Sequence, residues 1–234
     1  MNKETYVHNI FSAIARQYDF LNSLLSLRFD RSWRKFAASV SEVAPESRVL
    51  DVCTGTGELA LAYADALGNS TAVVGTDFCF EMLAVGKKKV ERQKRTHTFV
   101  PIEADTLQLP FADNTFNVVS VGFGIRNVSD LEGGIREMTR VATTGGSVVI
   151  LEFSQPTTPL FRGLYAFYFK HILPGIGNLI SKNRDDAYGY LPRSVIQFPD
   201  CDQLKEIMGS CGLTDVQFYR KTFGIVAIHV GKKK

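Results

Sequence analysis

The sequence lacks the features that would tie it to a metal, a disulfide framework or a nucleic acid. Its four cysteines, Cys53, Cys79, Cys201 and Cys211, form no CxxC pair and show no ligand spacing. Reduced thiols in a cytoplasm are therefore expected. The four histidines, His8, His97, His171 and His229, are scattered, so no metal site is expected. The net charge is only +3 over 234 residues, and no dense basic stripe carries interleaved aromatics, which argues against a nucleic-acid partner. The runs Lys87–Lys89 and Lys232–Lys234 read as a solvated helix face and a frayed terminus. Lys3, Glu4 and His8 precede any long apolar run, which argues against a secretory signal. Neither repeats nor low-complexity linkers occur. What remains suits one α/β domain over residues 1–234, with a helical cap at 1–45 and a lid at 156–200.

The most informative stretch runs from Arg48 to Ala60, RVLDVCTGTGELA. An apolar run ends in an acid, Asp51, breaks into a loop with Gly55 and Gly57, and passes at once into helical periodicity. This is the strand–glycine turn–helix unit of a nucleotide-binding sheet. Glycines let backbone approach a ligand, and the helix N-terminus offers free N–H groups. Gly55-x-Gly57-x-x-Ala60 also fits the dinucleotide fingerprint, and Asp77 lies about 20 residues on, where a ribose acid belongs. Charge separates the candidates. Asp51 and Glu58 flank the place a pyrophosphate would occupy, and carboxylates oppose an anion there. A phosphate-free ligand with a cationic amino-acid end fits better, and S-adenosyl-L-methionine is one. An NAD-type oxidoreductase, or a protein that only holds the nucleotide, is the alternative of a different class.

Residues 5–43 carry an apolar stripe through Ile10, Phe11, Ile14, Tyr18 and Leu21, continued by Trp33 and Phe36. They read as helices packed on the sheet. Strands are expected at Ala72–Asp77, Thr98–Ala104, Phe116–Val121 and Ser147–Phe153. Helices fall at Glu81–Lys94 and Leu131–Val141, and Gly145-Gly146 precedes the fifth strand. Such alternation implies parallel strands with crossover helices. A helix at Asp202–Cys211 leads to two segments, Asp215–Lys221 and Gly224–Val230, so closely joined that only an antiparallel pair is open to them.

Asp51, Asp77 and Asp105 close successive strands, at the edge where open α/β sheets bind ligands. Asp77 suits a ribose diol and Asp105 an adenine amino group, with Phe78 and Leu107 against the ring. At this point the chain resembles the class I S-adenosylmethionine-dependent methyltransferases. Among them it is similar to the C-methyltransferases of menaquinone and ubiquinone biosynthesis. The resemblance rests on Tyr18-Asp-Phe-Leu-Asn-Ser-Leu-Leu-Ser26 with Trp33, on Phe123-Gly-Ile-Arg-Asn-Val128, and on Arg140-Val141 through Leu151-Glu-Phe-Ser154. His171-Ile-Leu-Pro-Gly-Ile-Gly177 and Tyr188-Gly-Tyr-Leu-Pro192 add to it. It implies a Rossmann-like fold with a seven-stranded, mostly parallel sheet and an antiparallel C-terminal hairpin. It also implies cofactor contacts at Thr56, Asp77, Asp105 and Thr106, to which the residue reading adds Asp51, Gly55, Gly57, Phe78 and Gly122. Arg28 and Asp30 replace a usual glycine and histidine, Thr143-Thr144 replaces lysine-proline, and Arg193 replaces a glutamate.

The implied reaction is C-methylation of a polyprenyl quinol, with demethylmenaquinol named first. A benzoquinol of ubiquinone biosynthesis and another small acceptor are the alternatives. Ring carbon becomes nucleophilic once an adjacent hydroxyl, of pKa about 10, loses its proton. Arg126 is the candidate cation for the phenolate, with an ion pair to a nearby acid such as Asp130 as its structural alternative. His171 is the candidate base and Asn127 a candidate orienting group. Residues 156–182 are dense in aromatics interrupted by Arg162, Lys170 and His171, too short and charged to span a bilayer. They suit transient contact with the inner membrane face while a prenyl tail is drawn in. A homodimer is compatible with the sequence.

Overall fold

The computed structural model describes residues 3–156, Gly163 and residues 187–234. Helices α1 (Lys3–Ile14), α2 (Tyr18–Leu25) and α3 (Phe29–Val40) precede the sheet. Then come β1 (Val49–Val52), α4 (Glu58–Ala66), β2 (Val73–Asp77), α5 (Phe80–Arg92), β3 (Phe99–Glu103), β4 (Phe116–Gly122), α6 (Leu131–Val141) and β5 (Ala142–Phe153). The described part ends with α7 (Ala187–Gln197), α8 (Cys201–Ser210), β6 (Leu213–Lys221) and β7 (Val226–Lys233).

The strands form one sheet in the order β3-β2-β1-β4-β5-β7-β6. β1 to β5 are parallel, and β7 runs against both β5 and β6. The reversal is therefore confined to β7. All four residues of β1 are buried, as a central strand covered on both faces requires. Period-two alternation divides the core. Val49, Val118, Val149 and Leu151 face α3 and α4, where Trp33, Ala37, Tyr63 and Ala64 lie. Leu50, Val52, Val119, Val148 and Ile150 face α6 and α8, against Ile135, Met138, Leu204 and Met208. The order reverses between β1 and β4, so their following loops diverge and leave a crevice at the strands' C-terminal ends.

Two local expectations are corrected. Gly145-Gly146 does not precede the fifth strand but lies inside it. Ala142 pairs with Phe116 and Ser147 with Val118, so Thr143–Gly146 bulge out opposite Asn117. Gly145 has φ +75, and a Cβ on Gly146 would sit 2.8 Å from the Thr143 carbonyl oxygen. The C-terminal lysines are not frayed. Lys232 pairs with Glu42 at 2.7 Å, and Lys233 donates to the Arg140 and Ala142 carbonyls at 2.9 Å within β7's pairing range. Arg28 takes the left-handed φ of +66 that a glycine adopts without strain. Asp30 is buried, accepts from Ser26 at 2.8 Å and pairs with Arg34. Burial alone would raise its carboxyl; Arg34 and Ser26 outweigh that and hold it below the ordinary range.

Candidate functional site

The crevice between the β1 and β4 loops holds a cavity of ≈160 Å³. Its floor and walls come from Cys53, Gly55, Asp77, Phe78, Met82, Asp105, Thr106, Phe123, Gly124 and Asn127, and α1–α2 roof it with Glu4, Phe11 and Tyr18. The strands deliver these residues because each parallel strand ends at the same edge. Two non-glycine residues, Cys53 (φ 48) and Phe123 (φ 59), leave β1 and β4 in the left-handed region. Such backbone costs about 1–2 kcal/mol per residue and tends to be kept where a site needs it. The two loops touch closely: a Cβ on Gly124 would fall 2.3 Å from that of Cys53.

Asp77 is the best-held polar group of the cavity. Gly55 N–H donates to Oδ2 at 2.8 Å and Cys79 N–H to Oδ1 at 2.9 Å. Each oxygen keeps a further lone pair for a ligand hydroxyl. Burial pushes its carboxyl up to about 6, against the pull of those backbone donors. Asp105 lies at the exposed end, where Leu107 N–H donates to its Oδ1 at 2.9 Å. Thr106 Oγ1 is 3.2 Å from Cys53 Sγ. Met82, rather than Leu107, joins Phe78 as apolar lining.

Four of the expected cofactor contacts lie outside this lining. Asp51 is fully enclosed beneath the glycine loop, accepting from Thr54 Oγ1 at 2.6 Å and Ser120 Oγ at 2.9 Å. Thr56 turns to Asp19 and Lys89 instead. Gly57 caps α4 over the Phe99 ring, where a Cβ would meet Phe99 at 3.0 Å. Gly122 makes room for Leu59, 2.9 Å from where a Cβ would stand. Glu58 does not face a ligand either. Lys89, from the run read as solvated, pairs with Glu58 at 2.6 Å and also with Asp19, and donates to the Thr56 carbonyl at 3.0 Å. It ties α2, α5 and the glycine loop together.

Burial raises the Asp51 carboxyl to about 7, outweighing its two hydroxyl donors. A folded pKa above the unfolded value means that the native state holds the proton more tightly. Its contribution to stability is full below about pH 4 and is lost as pH rises toward 7, on the order of 4 kcal/mol by linkage. Urea melts from pH 4 to 8 are expected to show stability falling with pH less steeply in Asp51→Asn than in the unmutated protein. Parallel slopes would contradict this.

A second polar cluster adjoins the cavity behind Phe123. Arg126 pairs with Glu152 of β5 at 2.7 Å, with the two side chains 6% and 2% exposed, and its fork also reaches the Phe123 carbonyl oxygen. Its ion-pair partner is thus Glu152, not Asp130, which caps α6 through Gly133 N–H. Arg126 Nε donates to Ser194 Oγ at 3.3 Å, and the guanidinium lies 5.4 Å from the Phe153 ring centroid. Asn127 faces the cavity, and its Oδ1 accepts from Tyr190 at 2.9 Å. Arg193 lies exposed on α7 beside Ser194. His171, and most of the aromatic stretch at 156–182, lie outside the described residues.

Phe11, Tyr18, Cys53, Met82 and Phe123 were not singled out as site residues from the sequence. Tyr18 and Phe123 did stand in the motifs that carried the resemblance; Met82 gave no signal beyond helical spacing. Among the described residues, no helix is long and apolar enough to cross a membrane. His8, Cys79 and Glu81 are the one described group whose ligand atoms gather within 4.8 Å.

Comparison with known proteins gives the family and agrees with the fold. The model of the ubiE/COQ5 methyltransferase family matches residues 1–233. The chain is 42% identical to a demethylmenaquinone methyltransferase of Shouchella clausii, over 99% of this chain and 98% of that one. It is 45% identical to a ubiquinone/menaquinone biosynthesis C-methyltransferase of Geotalea daltonii, over 97% and 96%. Solved structures share the fold at low identity. An S-adenosylmethionine-dependent methyltransferase of Thermotoga maritima superposes with TM-score 0.65 at 18% identity, covering 97% and 99%. The [4+2]-cyclase SpnF does so at 0.64 and 17%, covering 87% and 81%. A cyclase on this fold shows that architecture alone does not name a reaction. With a full-length family match and relatives above 40% identity, the chain belongs to the ubiE/COQ5 methyltransferase family.

Proposed function

We propose that this enzyme transfers a methyl group from S-adenosylmethionine to a ring carbon of a reduced polyprenylated quinone, with demethylmenaquinol as acceptor. The relatives' names support that acceptor; the Geotalea name also includes the ubiquinone branch, where a benzoquinol takes its place. One observation carries the cofactor assignment. The lining contains three carboxylates, Glu4, Asp77 and Asp105, and among the described residues no lysine or arginine. A diphosphate would meet unscreened like charge there, whereas an ammonium and a sulfonium are attracted. This replaces the argument from Glu58, which Lys89 neutralises.

The residues present fit the cofactor. Asp77 is preorganised by Gly55 and Cys79 to accept both hydroxyls of a ribose. Phe78 and Met82 offer apolar contact to a purine, and Asp105 an acceptor for its amino group. Asp51, Thr56, Gly57 and Gly122 act one layer back, by shaping the loop that places Gly55. When bound, S-adenosylmethionine supplies a methyl group on a cationic sulfur, which makes it electrophilic. Tyr18 and Phe11 roof the cavity and exclude water from that methyl. Arg126 supplies positive charge on the Phe123–Phe153 side, where a phenolate forms, and Asn127 orients the acceptor hydroxyl. His171, the base the sequence suggested, lies outside the described residues.

Residues 156–200 serve as the lid over the acceptor, and the 1–45 cap as the roof of the cofactor. Contact with the inner membrane face supplies the prenyl substrate; no nucleic acid is involved. Calorimetry with S-adenosylhomocysteine and with NADH separates this reading from an oxidoreductase. Binding of the first and no heat from the second is expected; binding of NADH alone would reverse the assignment.

A further inference from the structure

Glu152 is a buried carboxylate that the mechanism above leaves without a task. It sits at the C-terminal end of β5, paired in register with Ala227 of β7, and is 2% exposed. Its Oε1 accepts from Arg126 at 2.7 Å and from its neighbour Phe153 N–H at 2.9 Å. Its Oε2 is fully buried and has no hydrogen-bond partner among the described residues. Buried carboxylates that serve only as structural ion pairs normally satisfy both oxygens, because an orphaned acceptor costs about 1–3 kcal/mol. Arg126 could have taken both through its planar fork. Instead a single terminal nitrogen, Nη1, bonds both Glu152 Oε1 and the Phe123 carbonyl, and Nε turns to Ser194. Phe123 and Asn127, which line the cavity, separate Glu152 from it; Phe123 packs on Phe153 with ring centroids 4.7 Å apart, and Asn127 bonds Tyr190.

We infer that Glu152 is the catalytic base, taking the phenolic proton of the quinol on its unpaired Oε2. The inference rests on the quinol methyltransferase reading and deepens it. The phenolic O–H bond breaks, a new O–H bond forms on Oε2, and the electron pair left on oxygen delocalises to the adjacent ring carbon that receives the methyl group. As Glu152 is neutralised, Arg126 loses its anionic partner, and its charge becomes available to the phenolate. Proton transfer thus switches the cation from carboxylate to substrate. After methylation, solvent water takes the hydrogen of the substituted ring carbon, and Glu152 returns its proton to the ring oxygen. The net product is one proton released to water. Burial raises this carboxyl, partly offset by Arg126, which brings it nearer to the phenol it must deprotonate.

The test compares Glu152→Gln, Glu152→Asp and His171→Ala in full-length protein, with S-adenosylhomocysteine affinity read beside turnover of a short-chain demethylmenaquinol. Glu152→Gln is expected to keep its affinity within about twofold and lose about 100-fold or more in kcat at neutral pH, as loss of a general base does. Its residual rate is expected to climb about tenfold per pH unit as the quinol ionises in solution, recovering most of the loss near pH 10. Glu152→Asp is expected to regain part of the rate, and His171→Ala to keep the unmutated pH profile. A Glu152→Gln enzyme within tenfold of the unmutated kcat would overturn the inference. So would the alkaline rescue appearing in His171→Ala instead, or joint loss of fold and cofactor binding in both Glu152 variants, which would make Glu152 scaffold. If the unmutated enzyme binds S-adenosylhomocysteine but turns over no quinol, the quinol reading fails, and with it the role given to Glu152.

Discussion

Asp77→Asn lowers the affinity for S-adenosylhomocysteine about 100-fold at pH 8, because two hydrogen bonds to a charged acceptor, each worth about 1.5–3 kcal/mol, are weakened or lost. The effect is both direct and structural. Asp77 accepts from Gly55 N–H on one oxygen and from Cys79 N–H on the other. An asparagine has one acceptor oxygen, so its amide nitrogen would meet one of those N–H donors. That clash costs about 1–3 kcal/mol of stability and unseats the loop carrying Gly55. In the unmutated protein the carboxyl titrates near 6, and a ligand that donates hydrogens prefers the ionised form. Affinity is therefore expected to weaken as pH falls below 6, and Asp77→Asn to be insensitive over the same range. Calorimetric titrations from pH 5 to 8 read both effects. An unchanged dissociation constant in the variant would remove Asp77 from the cofactor's contacts.

Arg126→Ala abolishes turnover and also destabilises the protein by about 3–5 kcal/mol, because it strands the Glu152 carboxylate in the core. Were Arg126 to meet only the substrate, its loss would leave cofactor binding intact and remove turnover alone. The buried pair changes that expectation: with the side chains 6% and 2% exposed, neither partner can turn to water. The double variant Arg126→Ala/Glu152→Gln is expected to recover about half or more of the lost stability, since the orphaned charge is gone. It recovers none of the activity. Additive losses in the double-mutant cycle would mean that the pair is not coupled. Full turnover in Arg126→Ala would remove the cation from the mechanism.

Particular residues show why part of this molecule was legible from its sequence. The β1 run, the turn with Gly55 and Gly57, and the acid of Asp77 are local in sequence and dictated by backbone geometry. Spacing therefore gave Asp77 the place of a ribose acid, and its bond from Gly55 N–H ties it to that turn. The α6 boundaries, Leu131 to Val141, followed from helical periodicity, whereas the Asp130 cap, read only as an ion-pair candidate, did not. What failed was long-range. Glu58 and Asp51 were assigned to the ligand because they flank the loop in sequence. Side-chain direction, which sequence does not give, sends one to Lys89 and the other beneath the glycine loop. Arg126 and Glu152 stand 26 residues apart, on a loop and a strand that only the pairing of β4 with β5 brings together. The roof over the cavity depends on how α1 and α2 dock, so the apolar stripe revealed Phe11 and Tyr18 without revealing their use. The bulge at Thr143–Gly146 and the lysines of β7 show the same limit. A glycine pair and a basic tail each have a common local meaning that sheet pairing overrode here.

The central claim is that the carboxylate-lined cavity presents a methyl cation donor to the ring carbon of a quinol. Mass analysis of product tests it most directly. Purified enzyme with methyl-labelled S-adenosylmethionine is incubated separately with reduced demethylmenaquinone and with the reduced benzoquinone analogue. One labelled methyl group on a ring carbon of the naphthoquinol, with slower or no labelling of the benzoquinol, is the expected result. Label on oxygen, or no label on either ring by an enzyme that binds the cofactor, would contradict the account.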